Sequence, residues 1–256
     1  MALFRRKKRR VVSASYVAAE RLLQSHARPC WLPQIGKGHG TLVSSRFGGR
    51  PALLPDESSP QCAACHCTMR ILAQVNLSEV PSGARLHLPP ELQSGLLQLF
   101  YCTDDQCPGG DFGHFSENML ARVLPHSCFE RLKEGDGHGF SEARILDWQE
   151  APDLPSPEEA LSLGVVLTDD QCDEFYGARS DSGESVPRQG DKLLGWPDWV
   201  QGMFHPECPD CHRRMKYVLQ IASEDHVPFM FGDCGVGHVC VCPLHQSRAA
   251  FFWSCC

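Results

Sequence analysis

Residues 49–75 recur as residues 195–221 without a gap, at a constant offset of 146. A register held over 27 positions constrains the fold more than any single motif, because a repeated segment implies a repeated structural unit. Gly49-Arg50-Pro51 falls on Gly195-Trp196-Pro197, Cys62-x2-Cys65 on Cys208-x2-Cys211, and residues 69–75 on residues 215–221. Further on, residues 95–102 match residues 235–242 at an offset of 140, six loop residues having been lost. Loops absorb such deletions at small cost.

In each copy a short β-prone run follows the CxxC: Ile71, Leu72 and Val75 in the first, Tyr217, Val218, Leu219 and Ile221 in the second. Residues 96–101 are almost continuously apolar, the pattern of a strand buried on both faces. Each copy therefore reads as a Gly-x-Pro lead-in, a cysteine knuckle and two strands that can pair. The expected fold is α+β and β-rich: internally duplicated, with pseudo-symmetric sheets, two zinc-knuckle insertions and a few peripheral helices. The expected organisation is a basic disordered tail over residues 1–12, then one domain over 13–256 made of two repeats, about 45–150 and 190–256.

Helices are expected over residues 13–25, over 157–163 with Pro157 in the first turn, and from a Thr168 cap through Phe175. Residues 177–191, rich in Gly, Ser, Asp and Arg, read as an exposed loop.

The knuckles carry the chemistry. Fifteen cysteines is an odd and unusually high count for a chain long enough to bury a core without disulfides. No secretory leader is discernible, since Glu20 and Arg21 interrupt the stretch after the basic run; reduced thiols in the cytoplasm are expected. No apolar run approaches the ~18 residues of a spanning helix, so no membrane role is expected.

A CxxC pair converges on one metal ion at ~2.3 Å and needs two more ligands to close the tetrahedron. The first copy offers Cys102 and Cys107, the second Cys242 and His245. Cys102 and Cys242 are aligned by the repeat itself, so the metal reading did not select them. The predicted ligands of two structural zinc ions are thus Cys62, Cys65, Cys102 and Cys107, and Cys208, Cys211, Cys242 and His245. Cys240, Cys234, His238 and Cys255 are rivals in the second site, with Cys240 expected to face away from Cys242. A redox dithiol opens a helix, whereas each pair here precedes a strand. Cys30, Cys67, Cys128, Cys172, Cys255 and Cys256 have no paired spacing and read as buried free thiols.

Nothing in the sequence forms a catalytic constellation. Gly36-Lys37-Gly38-His39-Gly40 lacks the spacing of a phosphate loop, and His138 between glycines reads as loop. Trp196 and Trp199 are candidate partner-binding aromatics, and Asp147, Trp148 and Asp153 candidates for a groove. The first ten residues carry six positive charges, while residues 11–256 hold 18 Lys/Arg against 31 Asp/Glu. An acidic body disfavours nucleic acid and suits a basic protein partner.

Phe47-Gly48-Gly49-Arg50-Pro51, the CxxC with Met69 and Gln74 beyond it, residues 195–201 and Phe231-Gly232-Asp233-Cys234-Gly235 resemble the bacterial YwqG-like family of unknown function, over roughly residues 45–255. The first copy is also similar to the programmed cell death protein two family at residues 48–51, 62–65, 71–75 and 99–102. The resemblance implies a duplicated β-rich or α+β fold with no established enzymatic activity, binding and chaperoning of a basic client, or an immunity or antitoxin role. Many YwqG-like proteins lack the knuckles that this chain keeps. The functional expectation is a non-enzymatic, zinc-stabilised protein-binding protein; the alternative is a metal-dependent hydrolase with an open zinc site.

Overall fold

The computed structural model describes residues 13–38, 40–109, 115–136, 139–245 and 248–255. The basic tail, His39, His138 and Cys256 lie outside the described residues.

In chain order the elements are α1 (Ala14–Gln24), β1 (Arg28–Ile35), β2 (Arg46–Phe47), β3 (Ala52–Leu53), β4 (Arg70–Asn76), α2 (Ser82–Arg85), β5 (Leu96–Tyr101), β6 (Met119–Leu124), β7 (Lys133–Glu134) and β8 (Ala143–Asp153). They continue with α3 (Pro157–Ser162), α4 (Asp169–Asp181), β9 (Lys192–Leu194), β10 (Lys216–Ala222), β11 (Val236–Val241) and β12 (Ala249–Ser254). Ten strands form one antiparallel sheet in the order β12-β11-β10-β9-β1-β8-β2-β4-β5-β6, and β3 pairs with β7 separately. The pseudo-symmetric sheets expected from the sequence are joined in one continuous sheet. The order is palindromic about its centre: outward from β8 run β2, β4, β5 and β6, and outward from β1 run β9, β10, β11 and β12. The sheet curls until its edge strands β6 and β12 touch, and Trp253 Nε1 donates to the Tyr101 hydroxyl at 3.1 Å near the seam.

Alternation along the strands sorts side chains to the two faces. Leu97, Leu99 and Tyr101 of β5 and Val239 and Val241 of β11 share the inner core with Leu72, Val75, Leu219, Ile221 and Phe251. The outer face places Phe100 and Cys102 beneath the first knuckle, and Cys240, Cys242 and Phe252 beneath the second. Strands β4 and β10 each carry a bulge, between Ile71 and Ala73 and between Tyr217 and Leu219.

The halves also repeat each other's buried polar contacts. Arg46 donates to the carbonyls of Leu42, Ser44 and Arg50, and Lys192, 146 residues later, donates to those of Arg188 and Trp196. Gln74 bridges Leu42 O and Ala52 N–H, as Gln220 bridges Gly190 O and Asp198 N–H. Asn76 N–H donates to Ser45 Oγ and Ala222 N–H to Asp191 Oδ1. Lys192 differs from Arg46 in that its charge is fully enclosed, Nζ lying 2.8 Å from Asp153 Oδ2 with neither side chain exposed. Asp153 also accepts the N–H groups of Arg188 and Trp196 at 2.8 Å, which satisfies the lone pairs that make a buried ion pair tolerable.

The helices pack beside the sheet, around Ala19, Leu23, Ala160 and Phe175. Thr168 caps α4 with a reciprocal capping box through Gln171, and the helix runs on to Asp181, past the Phe175 end expected from sequence. Arg179 explains the extension: it reaches Glu20 on α1 at 2.9 Å and Glu184 at 2.8 Å, tying the last turn down. The first residues of the expected 177–191 loop are therefore helical. No helix among the described residues is long and apolar enough to cross a membrane.

Candidate metal centres

Each knuckle is a hairpin turn closed by its own backbone. Cys62 N–H donates to Cys67 O and His66 N–H to Cys62 O; Cys208 N–H donates to Arg213 O and His212 N–H to Cys208 O. Isolated bridges Gln61–Thr68 and Glu207–Arg214 frame the two turns. His66 and His212 take the left-handed conformation, with φ of 62° and 56°, that turns the chain back on itself.

In the first centre Cys62, Cys65, Cys102 and Cys107 converge. The sulfurs of Cys62 and Cys107 are 3.5 Å apart, as are those of Cys65 and Cys102. In the second, His245 Nδ1 lies 3.5 Å from Cys208 Sγ and 3.6 Å from Cys242 Sγ, and Cys211 Sγ lies 3.6 Å from Cys242 Sγ. All these thiols are free, and the spacings are far beyond the ~2.05 Å of a disulfide. A tetrahedral ion with bonds of about 2.3 Å to sulfur and about 2.0 Å to nitrogen has edges of roughly 3.5 Å between sulfur and nitrogen and roughly 3.8 Å between sulfurs. The sulfur–nitrogen contacts of 3.5 and 3.6 Å match the first edge, and the sulfur–sulfur contacts of 3.5–3.6 Å fall slightly inside the second.

The main chain supports the same reading. Backbone N–H groups two residues on donate to Cys65, Cys102 and Cys107, from Cys67, Asp104 and Gly109. Asp210 and Cys211 donate to Cys208 and Arg213 to Cys211, while the N–H groups of Leu244 and His245 reach Cys242 at 3.4 and 3.3 Å. Such donors stabilise thiolate, the form that binds metal. The Cys67 N–H leads the effects that bring the Cys65 thiol down to about 7. At Cys208, burial acts upward, but the hydrogen bonds from His245 and the two backbone N–H groups prevail and bring it to about 6. Burial pushes Cys102 up. Neighbouring thiols cannot all ionise against one another, and a divalent cation among them removes that opposition. Both tetrads can hold a metal ion.

The rivals for the second centre stand outside it. Cys234 is exposed and Cys255 half-buried, and His238 packs 4.8 Å from the Trp199 ring. Cys240 does not face away from Cys242: residues two apart on a strand share a face, and both lie under the second knuckle. Cys240 sits deeper, beside the tetrad and not in it.

A family model described as a domain of unknown function, DUF1963, matches residues 45–253. The chain is a member of the DUF1963 family. Comparison with curated proteins finds no match. The DUF1963 match takes in all eight tetrad residues and all strands except β1 and the last residue of β12, although β1 lies at the centre of the sheet. In this DUF1963 chain Trp196 is not the surface anchor expected of it: it is 2% exposed, Arg28 stacks 3.3 Å above its ring, and its Nε1 donates to His26 O at 3.0 Å. Trp199 is half-buried and donates to Glu159 Oε1 at 2.9 Å. Asp153, a candidate for a groove, is enclosed with Lys192, and Trp148 belongs to the inner core.

Sequence reasoning missed a further group, Asp191, Asp225 and His226, whose ligand atoms also converge. His226 Nδ1 lies 2.9 Å from Asp191 Oδ2, and its ring stacks on Phe47 at 5.1 Å. The repeat held the signal, because Asp191 and Asp225 align with Ser45 and Glu79: Asp191 N–H donates to Asp225 as Ser45 N–H donates to Glu79.

Proposed function

We propose that both tetrads are structural zinc sites and that the protein is a non-enzymatic, zinc-stabilised binding protein working in a reducing cytoplasm. The carrying observation is the closed geometry of each tetrad: four sulfur or nitrogen ligands complete a tetrahedron and leave no position for substrate or water. Zinc suits the donor sets, since four thiolates, or three thiolates and one imidazole, are its habitual structural ligands. The matched strand order, bulges and buried hydrogen bonds of the halves support an origin by internal duplication, in line with the resemblance to YwqG-like proteins and, in the first half, to the programmed cell death protein two family.

Metal content tests the zinc sites. Full-length protein should hold two zinc ions that resist weak chelators, and Cys62→Ser or Cys208→Ser should each lose one ion and cost roughly 4 kcal/mol or more of stability. Metal-free protein of unchanged stability would sink the reading.

For the partner we propose a basic protein, whether a toxin held by an immunity protein or the client of a chaperone. A cleft of about 580 Å³ between α1 and α4 is lined by Asp173, Glu174, Asp181 and Glu184 with one cation, Arg179, which already pairs with Glu184, and the remaining excess of carboxylates favours a cationic guest. Co-purification should yield a stoichiometric basic protein whose capture weakens at least tenfold on Asp173→Asn with Glu174→Gln. Equal capture by the variant would remove α4 from the interface.

The second reading, a hydrolase with an open zinc site, rests on Asp191, Asp225 and His226. It ranks lower because Asp191 is already engaged, accepting Ala222 N–H at 2.7 Å and His226 at 2.9 Å, the first of these contacts being the one Ser45 makes in the other half.

A further inference from the structure

We propose that the first centre carries a second, exposed metal subsite formed by Cys65, Cys67 and Asp104, in which a thiophilic divalent cation such as zinc binds beside the inner ion and shares the Cys65 sulfur with it. The inference rests on the zinc reading of the tetrad and extends it from one ion to two.

Three ligand atoms converge there: the sulfurs of Cys65 and Cys67 and a carboxylate oxygen of Asp104 all lie within 4.8 Å of one another. The Cys67 thiol donates to Asp104 Oδ2 at 3.2 Å, close to the roughly 3.5 Å edge that a sulfur and an oxygen span on one tetrahedral ion. Cys67 is exposed and Cys65 half-buried, so the subsite opens to solvent while the inner tetrad is covered.

The ligands are held in place by the inner centre itself. The Cys67 N–H donates to Cys65 Sγ and the Asp104 N–H to Cys102 Sγ, and Asp104 Oδ1 accepts the Gln106 N–H at 3.1 Å, which orients the carboxylate. Metal in the tetrad thus pre-organises the outer ligands, and ligands that need not be ordered on binding cost less affinity. Charge favours a second cation. A divalent ion in four thiolates leaves a formal charge of about −2, and a neighbouring carboxylate and ionised thiol would add to it. A second cation offsets this charge, takes the place of the Cys67 proton and releases that proton to solvent. With three protein ligands and an open coordination position, the outer ion is the weaker and faster-exchanging of the two.

The other half supplies an internal control. Counting from the shared knuckle and strand, Cys67 corresponds to Arg213 and Asp104 to Leu244, neither of which binds zinc. One outer subsite is expected per molecule.

Native mass spectrometry of the full-length protein during stepwise Zn²⁺ addition tests this. Wild type should hold two ions against a weak chelator and take up a third at higher free zinc, with release of about one proton on the third step. Cys67→Ser and Asp104→Asn should keep the two tight ions and weaken the third at least tenfold. A wild-type protein that stops at two ions overturns the subsite and leaves the tetrads standing, as does a third ion bound equally well by both variants. Fewer than two tight ions would overturn the tetrad reading, and the shared-sulfur subsite with it.

Discussion

At the residue scale the halves differ most instructively at Gln98 and His238, which occupy the same register position opposite Gln74 and Gln220. Gln98 donates to Ala52 O at 2.7 Å and to Gln74 Oε1 at 2.9 Å, and accepts from Arg122 Nε at 2.9 Å. His238 is fully buried against Trp199, Phe252 and Tyr217. Burial, reinforced by the Lys192 charge, pushes its imidazole down to about 3 from the usual 6.5. The folded state therefore resists a proton that the unfolded chain accepts. The stability His238 contributes is whole above pH 6.5 and is lost as pH falls toward 3. Relative to His238→Gln, which copies the other half, wild type should lose about 1 kcal/mol per pH unit between pH 6 and 5. Denaturant unfolding at pH 7, 6 and 5 measures this, and because protonation of the metal ligands acts on both proteins, only the difference counts. Parallel pH profiles would show that the ring is hydrated or already charged in the fold.

Elements were legible where a local pattern survived. The strands after each CxxC and their partners at residues 96–101 and 236–241 stand where the apolar runs put them, because these strands are buried on both faces and read as unbroken hydrophobic stretches. The helices starting at Pro157 and Asp169 were signalled by Pro157 and Thr168, and the one over 14–24 by the spacing of Val17, Leu22 and Leu23. Strands β1 and β8 did not. Pro29 and Pro33 in β1, and Pro152 in β8, argue against an interior strand. Pro29 faces Pro152 in the ladder, so two missing donors fall on one pair and are tolerated there. Three residues of each tetrad were legible in the repeat, since aligning the copies fixed Cys102 and Cys242 independently of the metal; the fourth ligands were not, because Cys107 and His245 do not align with each other and His245 had four rivals. The buried frame of Arg46, Lys192, Gln74 and Gln220 was aligned in the same way and overlooked, because a charged residue in a short strand carries no sign of burial. Trp196 failed for the opposite reason: its neighbours Pro197 and Asp198 suggest surface, while Arg28, distant in sequence, covers it.

The whole molecule is more interdependent than its two repeats suggest. In the first half the strand beside β2 is β8, which follows β6 in the chain; in the second half the strand beside β9 is β1, which comes from the start. Residues 190–256 therefore supply four strands to their side of the sheet, β9 to β12, and β1 supplies the fifth. The repeat alignment is blind to this. Strand β1 then ties the halves together, pairing with β8 from Arg28 to Ile35 and with β9 at Cys30 and Trp31, while the Lys192–Asp153 pair links β9 to β8. On the far side the inner core is shared, Tyr101 of the first half packing against Phe229, Phe231 and Phe251 of the second. The main core is shared between the halves, each keeping a small cluster of its own beneath its knuckle, and a domain whose main core is shared does not unfold separately. Calorimetry of the metal-loaded protein should give a single transition with equal calorimetric and van't Hoff enthalpies. Cys208→Ser, which touches only the second tetrad, should lower the midpoint of that one transition and speed amide exchange in β4 and β5 as much as in β10 and β11. Two resolved transitions, or exchange confined to the second half, would mean that the seam and the β1 ladder do not couple the repeats.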